Sequence, residues 1–278
     1  MNLISRSCPL CGGAERRTLF DARDLNAGVE ARAYPVVRCR CGMAYLASIP
    51  ARPADAYPES YDAHAEALRP AGPSRRFDRV IGRRPGRLVD VGCGSGRDLM
   101  ALRQAGWSVK GIETSPDAVR RARAAGLDVL EGTIEEARLG PGSADLVTMF
   151  HVLEHLPDPV AVAREAGRIL APGGVLLAHV PNFGGLNARL FRGFWYELDA
   201  PRHVNFFTIE TARRMIAQAG LHLSHIGTRA APGDFRRSLR LAFGRNPLRP
   251  FDGAIRIASR VINLFRWGDV IELIATRR

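Results

Sequence analysis

Three stretches hold side chains whose types and spacing suit chemistry. His151, Glu154 and His155 stand at i, i+3 and i+4, which on a helical turn puts two imidazoles and a carboxylate on one face. An imidazole titrates near neutral pH and suits removal of a hydroxyl proton, and the three groups together could ligate a divalent metal. Downstream, Asp199-Ala200-Pro201-Arg202-His203 offers an arginine and a histidine beside a proline. That pair could bind an acidic or phosphorylated acceptor and take its proton, and His203 could equally complete the metal set. Upstream, Asp90-Val91-Gly92-Cys93-Gly94-Ser95-Gly96 joins an acid to three alternating glycines, and Glu113 follows 17 residues after Gly96.

Positioning these groups requires a strand, a glycine turn and a helix in that order. Leu88 to Val91 is short and apolar, the glycines permit a sharp turn and close backbone approach to a ligand, and Arg97 to Leu102 opens a helix. A dinucleotide fingerprint needs glycine at its first, third and sixth positions; the sixth here is Arg97, which disfavours NAD or FAD. The helix is expected to reach about Gly106, with a second strand over 107–113. The carboxyl end of that strand lies beside the glycine turn in a parallel sheet, where Glu113 would accept hydrogen bonds from ribose hydroxyls. Ser115 and Pro116 supply an N-cap and a first-turn proline for the next helix. Further strands are predicted at 127–130, 144–150, 175–180, 221–228 and 269–276, and helices at 160–170 and 208–219. The first of those helices should end in the turn Ala171-Pro172-Gly173-Gly174.

The acid, apolar residue and G-x-G-x-G of Asp90 to Gly96 resembles the first motif of class I S-adenosylmethionine-dependent methyltransferases. His151-Val152-Leu153-Glu154-His155-Leu156-Pro157-Asp158-Pro159 closely resembles the segment after strand four in small-molecule methyltransferases related to the ubiquinone-pathway O-methyltransferases. Pro201-Arg202-His203 followed by Phe206 and Phe207 is similar to that family's acceptor-side segment. The resemblance runs to about residue 230 and takes in the last ten residues. It implies an α/β fold, a doubly wound Rossmann-like seven-stranded sheet, mainly parallel with an antiparallel last strand. S-adenosyl-L-methionine would be held by Asp90, Gly92, Cys93, Gly94, Gly96, Glu113, Thr114 and the Phe150–His151 edge, with Thr133 and Ile134 at the adenine. Methyl transfer would go in line to an oxygen, nitrogen or carbanion, with His155 or His203 as base and Arg202 at the acceptor. Relatives that hold Mg²⁺ here use Glu-x-x-Glu-His with a later histidine; His151 replaces the first glutamate and weakens that case. We therefore read His151 as lining the cofactor pocket and Glu154 and His155 as making structural hydrogen bonds, with a divalent metal at His151, Glu154 and His155 as the alternative.

Four of the five cysteines lie in Cys8-Pro9-Leu10-Cys11-Gly12-Gly13 and Cys39-Arg40-Cys41-Gly42. Two pairs, each followed by glycine, resemble the knuckles of a zinc ribbon, and Cys8, Cys11, Cys39 and Cys41 are the expected ligands of a structural Zn²⁺. The second pair encloses one residue instead of two, so its knuckle must be tighter. A closed four-thiolate site stabilises a fold without doing chemistry. The organisation expected is a ribbon-like module over 1–50, a linker with a short helix over 51–85 and a methyltransferase domain over 86–278. Tyr57 and Tyr61 in the linker resemble a tyrosine pair that precedes the catalytic domain in look-alikes, where it would cover the cofactor; plain linker packing is the alternative for both. Segments 184–207, irregular and aromatic, and 232–268, basic, read as insertions; Asn182 would face substrate and His179 the core.

The 278 residues suffice for one α/β core and an accessory module. No apolar run approaches the ~20 residues of a membrane span, and the N-terminus lacks a signal-peptide core, so a cytoplasmic protein with reduced thiols is expected. The net charge of +12 is carried by arginine, Lys110 being the single lysine, and half of the excess falls in 232–268. Within it, 254–267 reads as a basic amphipathic helix that packs on the domain or touches an anionic membrane. The acceptor we favour is a small metabolite, a sugar or sugar nucleotide. An RNA methyltransferase and a non-catalytic ribbon adaptor are the alternatives; nucleic acid is disfavoured because the core lacks basic stripes interleaved with aromatics. Oligomeric state is not legible.

Overall fold

The computed structural model describes residues 1–29, 31–57, 75–77, 84–230, 232–244, 262 and 265–278. In chain order, β1 (Leu3–Ser5), β2 (Arg16–Arg23), β3 (Ala33–Cys39), β4 (Ala44–Leu46) and β5 (Ser48–Pro50) make up the N-terminal part, followed by a 3-10 turn at Pro53–Ala56. Then come β6 (Arg87–Val91), α1 (Arg97–Gln104), β7 (Ser108–Glu113), α2 (Pro116–Ala124), β8 (Val129–Glu131), β9 (Ala144–Phe150), α3 (Pro159–Ile169) and β10 (Leu170–Pro181). The chain closes with α4 (Leu186–Phe191), β11 (Asn205–Phe206), α5 (Ile209–Gln218), β12 (His222–Arg229), α6 (Pro232–Phe243) and β13 (Val270–Thr276).

Seven strands form one sheet in the order β12-β13-β10-β9-β6-β7-β8. From β10 through β8 every neighbour is parallel, while β13 runs antiparallel between β12 and β10. This is the predicted doubly wound α/β sheet with its antiparallel last strand. Leu88–Val91 of β6 are buried and apolar except at Asp90, as a central parallel strand requires, and the exposed Arg87 stands at its start. Helices are punctuated by their own sequence: Asp158 accepts the Ala161 N–H at 2.9 Å ahead of Pro159, and Thr208 and Thr211 cap α5 reciprocally.

The strand expected at 175–180 is longer. Leu170 pairs with Ala144 and Val175 with Leu146, so 171–174 bulge out of β10 and the expected Pro-Gly-Gly turn is absorbed into it. A larger departure concerns 184–207, which does not stay irregular. It contains α4, 3-10 turns at Arg192–Phe194 and Tyr196–Leu198, and β11. That last strand pairs with β4, so the N-terminal four-stranded sheet has the order β11-β4-β3-β2 and takes one strand from the far side of the methyltransferase-like sheet. Tyr34, Val36 and Leu46 there pack with Phe191, Trp195, Leu198 and Phe206 in a single core. Cys8, Leu10, Met43 and Tyr45 join the core beneath β9, β10, α3 and α5. Tyr61 and all of 254–267 except 262 and 265–267 lie outside the described residues. No described helix is long and apolar enough to cross a membrane.

Candidate functional site

The site is assembled from the carboxyl ends of β6, β7 and β9. After β6 the backbone turns through Gly92, Gly94 and Gly96 with φ of 71°, 56° and 84°, a region glycine enters without strain. The turn is tied to β7, with the N–H of Gly92 donating to the Ile112 carbonyl at 2.8 Å. A Cβ at Gly92 would lie 2.6 Å from Val152 Cγ2, and one at Gly96 would overlap Leu127 Cδ1, so a side chain at either position must displace a neighbour on top of its strained φ. Glu113, ending β7, accepts the Gly94 N–H at 2.9 Å through Oε2 and the Ser115 N–H at 2.8 Å through Oε1. Oε1 also accepts from Thr114 Oγ1 at 3.5 Å, Oε2 keeps a second acceptor position, and the residue lines the cavity. Asp90 is buried and accepts from Thr148 Oγ1 at 2.6 Å; burial pushes its carboxyl up to about 7 despite that bond, with the charges of Asp98 and Glu113 acting in the same direction.

These groups surround a cavity of about 570 Å³, within the range of small-molecule and cofactor sites. Of the residues singled out above, Asp90, Gly92, Cys93, Gly94, Glu113, Thr114, Thr133, Ile134, Phe150, His151, His155 and His203 all line it. Gly96 and Arg202 do not. Gly96 lies behind the turn against Leu127 and Ala122, and supports the site through the backbone. Tyr57 and Arg76 form part of the cavity wall. The Arg76 guanidinium stands 5.0 Å over the Phe150 ring and 3.3 Å from Asp98, a role that nothing in its arginine-rich surroundings signals.

The expected helical turn at 151–155 does not form as such. His151 has φ of 55°, and only Leu153–His155 is helical, of 3-10 type. His151 Nδ1 still meets Glu154 Oε1 at 3.1 Å. Burial opposes the imidazolium of His151, but that hydrogen bond and the charges of Glu154 and Glu197 lift it to about 9. His155 goes the other way: burial, then the neighbouring His203, bring it down to about 4, so it is neutral at pH 7. His155 Nδ1 lies 3.1 Å from the Arg202 carbonyl and 3.1 Å from Tyr57 Oη, and His203 Nδ1 lies 2.7 Å from the Glu197 carbonyl. A carbonyl oxygen accepts only, so both rings carry hydrogen on Nδ1, and in the neutral His155 ring the lone pair is on Nε2.

Arg202, expected at the acceptor, is buried inside the protein. Its Nε and Nη2 meet the Asp199 carboxylate at 3.0 and 2.7 Å, and Nη1 and Nη2 meet Asp24 at 3.2 and 2.6 Å. The Ala56 carbonyl takes a further bond at 3.1 Å. An arginine held by two bidentate carboxylates has no fork left for a phosphate. Beyond it, a second cavity of about 370 Å³ is lined by Leu25, Asn26, Tyr196, Glu197, Asp199, Arg237, Arg240, Leu241 and His203. His203 is thus a wall of both cavities. Asn182 does not line either; it is buried, with Nδ2 donating to the Gly268 carbonyl at 2.8 Å. His179, as expected, is in the core, 3.1 Å from Glu272.

Among the described residues, two side-chain groups have the composition of metal sites. Ligand atoms of Glu154, His155 and His203 lie within 4.8 Å of one another, and Glu154 Oε2 is buried without a hydrogen-bond partner. This set has His203 where the spacing argument placed His151, because the left-handed backbone at 151 turns that ring away from the helical face. The sulfurs of Cys8, Cys11, Cys39 and Cys41 also lie within 4.8 Å of one another, at 3.5 Å for Cys8–Cys41 and for Cys11–Cys39. A Zn–S bond of about 2.3 Å gives tetrahedral edges of about 3.8 Å, so the four thiols fit that ion. The one-residue gap of the second pair is accommodated by Gly42 at φ of 96°, its N–H donating to the Cys39 carbonyl at 2.9 Å.

A family model described as a methyltransferase domain matches residues 61–226, more than half of the chain. The chain belongs to the methyltransferase-domain family. Among known relatives, the methyltransferase is 38% identical over 117 residues to a ubiquinone biosynthesis O-methyltransferase of Xanthomonas campestris, a match covering 38% of this chain and 49% of that protein. It is 41% identical over 95 residues to the protein of the same name in Ralstonia nicotianae, covering 32% and 40%. The matched stretch thus spans about half the length of these relatives or less. Its fold is that of S-adenosylmethionine-dependent methyltransferases. One from Thermotoga maritima aligns at 21% identity and TM-score 0.53 over 73% of this chain and 88% of that one, and one from Mesorhizobium loti at 19% and 0.52 over 72% and 95%.

Proposed function

We propose that the protein transfers a methyl group from S-adenosyl-L-methionine to a hydroxyl of a small-molecule acceptor, with a sugar or sugar nucleotide as the preferred class. The observation that carries this reading is one cavity combining the glycine turn, the Glu113 and Asp90 carboxylates and two imidazoles whose Nδ1 atoms are engaged by main-chain carbonyls. S-adenosylmethionine, when bound, supplies an electrophilic methyl on a cationic sulfur. Glu113 would accept from its ribose hydroxyls, Asp90 would meet its ammonium, and Thr133 and Ile134 would flank its adenine. Cys93, Gly94, Thr114 and the Phe150–His151 edge complete the wall.

His155, neutral at pH 7, or His203 would receive the acceptor proton on Nε2 as its oxygen attacks. Alignment and exclusion of water would supply the rest of the rate. The relatives named for O-methylation support an oxygen acceptor. The second cavity supports a polar one, since Asn26, Tyr196, Glu197 and Asp199 line it and Arg240 is exposed at it. In this reading 1–50 is a Zn²⁺-stabilised module, 51–85 a linker, and 86–278 the catalytic domain with insertions at 184–207 and 232–268. A reducing, cytoplasmic setting suits thiolate ligands. Glu154, His155 and His203 are the residues that would hold a divalent ion if catalysis uses one.

Calorimetry with S-adenosylhomocysteine tests the reading. Wild type should bind and Glu113→Ala should bind at least about tenfold more weakly, a difference of about 1.4 kcal/mol; equal affinity in the two would remove Glu113 from the site, and no binding by wild type would end the proposal. Release of S-adenosylhomocysteine in the presence of sugar nucleotides against phenols identifies the acceptor class. Elemental analysis of protein purified without added metal should find one zinc per chain. Turnover unchanged after EDTA would limit metal to the cysteines.

A further inference from the structure

The N-terminal module reaches the reacting end of the cavity through one side chain. Asp24, on the loop after β2, is held by the N–H groups of Ala27 and Val29 at 3.0 and 2.8 Å, and its carboxylate receives Arg202 from 178 residues away. Neither Asp24 nor Arg202 lines the cofactor cavity. What Arg202 presents toward it is its own carbonyl, the acceptor of the His155 Nδ1–H. The same anchor extends to the next ring: Asp199, on the other side of the guanidinium, accepts the backbone N–H groups of Arg202 and His203 on its carbonyl at 2.9 and 3.0 Å. Tyr57 Oη competes for His155 Nδ1 at 3.1 Å, and a phenol can donate as well as accept. Were Tyr57 to donate there, the hydrogen would move to Nε2 and the ring would lose the lone pair it needs as a base.

We propose that Asp24 is a positioning residue for methyl transfer: through Arg202 it fixes the carbonyl that keeps His155 in its Nδ1–H form, with Nε2 open toward the acceptor. The N-terminal module thereby sets the protonation pattern of the base as well as one wall of the site. This rests on the reading of His155 as a base given above, and not on its cofactor, which Asp24 does not approach.

The test is long-range ¹H–¹⁵N correlation of the histidine rings at pH 8, with S-adenosylhomocysteine affinity measured in parallel. Wild type should show His155 and His203 as Nδ1–H. His179, whose Nε2 faces Glu272, should be the opposite form and serves as internal reference. In Asp24→Asn the Nδ1–H signal of His155 should fall from the main species to the minor one, with His203 less affected, His179 unchanged and cofactor affinity within twofold. Should Asp24→Asn not fold, Asp24→Leu/Asp199→Asn/Arg202→Met removes the network without leaving any of its charges buried alone, and the same shift is expected. The proposal is overturned by a wild-type His155 in the Nε2–H form, by an unchanged His155 in a variant that binds S-adenosylhomocysteine, or by loss of folding in both variants, which would make the contact plain support. Failure of wild type to bind S-adenosylhomocysteine with His155 in the Nδ1–H form would instead strike the cofactor reading.

Discussion

The two halves of the site are built in opposite ways. The half proposed to hold the cofactor comes from one run of about sixty residues, Asp90 to His151, and is shaped by main chain: glycines at positive φ, amides donating to Glu113 and strand ends in parallel register. The half proposed for the acceptor gathers side chains from residues 24–26, 57, 154–155, 196–203 and 237–241 and fastens them with buried charges. A site made of backbone tolerates most side-chain exchanges but no added Cβ at the turn. A site made of buried ion pairs tolerates added volume at its rim but no unpaired charge.

The largest effect that would sharpen this contrast is expected from Arg202→Ala. Two carboxylates, Asp24 and Asp199, lose their common partner, and breaking such a buried pair costs about 3–5 kcal/mol. Denaturant unfolding should show the loss, and a change below about 1 kcal/mol would mean that the acceptor half is not charge-fastened. Next comes Gly96→Ala, which combines a left-handed backbone with overpacking against Leu127 and should cost about 2–4 kcal/mol. S-adenosylhomocysteine binding should go with it, whereas Cys93→Ala in the same turn should keep both.

Titration separates the halves by sign. The Asp90 carboxyl is raised by burial from 3.8 to about 7, so stability falls as pH rises from 3.8 to about 7, at about 1.4 kcal/mol per pKa unit, and the loss is complete above that. Asp90→Asn should therefore be more stable than wild type at pH 8, with the advantage shrinking as the pH falls to 5. Asp24 and Asp199 are held below 3.8, against the cost of burial, by the hydrogen bonds and charge of Arg202. Their stabilisation is complete above about pH 4 and is lost as pH falls through the depressed values. The handicap of Asp24→Asn should accordingly persist at pH 5 and shrink only in stronger acid. Melting temperatures of the three proteins across pH 3–8 check both; parallel curves would break the comparison. The smallest effect belongs outside both halves: the exposed Arg214–Glu210 pair on α5 should be worth about 0.3–0.5 kcal/mol when Glu210 is replaced by Gln, which leaves the Arg214 bond to the Cys41 carbonyl in place.

Legibility in the sequence follows the same division. The strand at 144–150 has the bounds its apolar run predicts, and Glu113 ends β7 where the spacing places it, because both depend on local pattern and on the parallel sheet alone. The 151–155 segment misled because i, i+3, i+4 spacing presumes α-helix, while φ of 55° at His151 and a 3-10 turn of three residues give another geometry that still joins His151 to Glu154. Arg202 misled for a different reason. A proline-held arginine beside a histidine looks like an anion site, and its actual partner, Asp24, carries no local mark beyond an acid in a turn-forming loop. The second cavity was invisible because its walls, Asn26, Tyr196 and Arg240, meet only after β11 has joined β4.

That pairing of β11 with β4 has a consequence for how such enzymes diversify. The two residues of β11 complete a sheet whose other members all precede residue 47, so the opening stretch and the 184–207 segment form a single structural unit despite the whole core lying between them. Grafting either one alone onto a related scaffold would leave a frayed sheet edge. Transplanting this part of the molecule means moving both together, and the glycine-turn run between them can stay where it is.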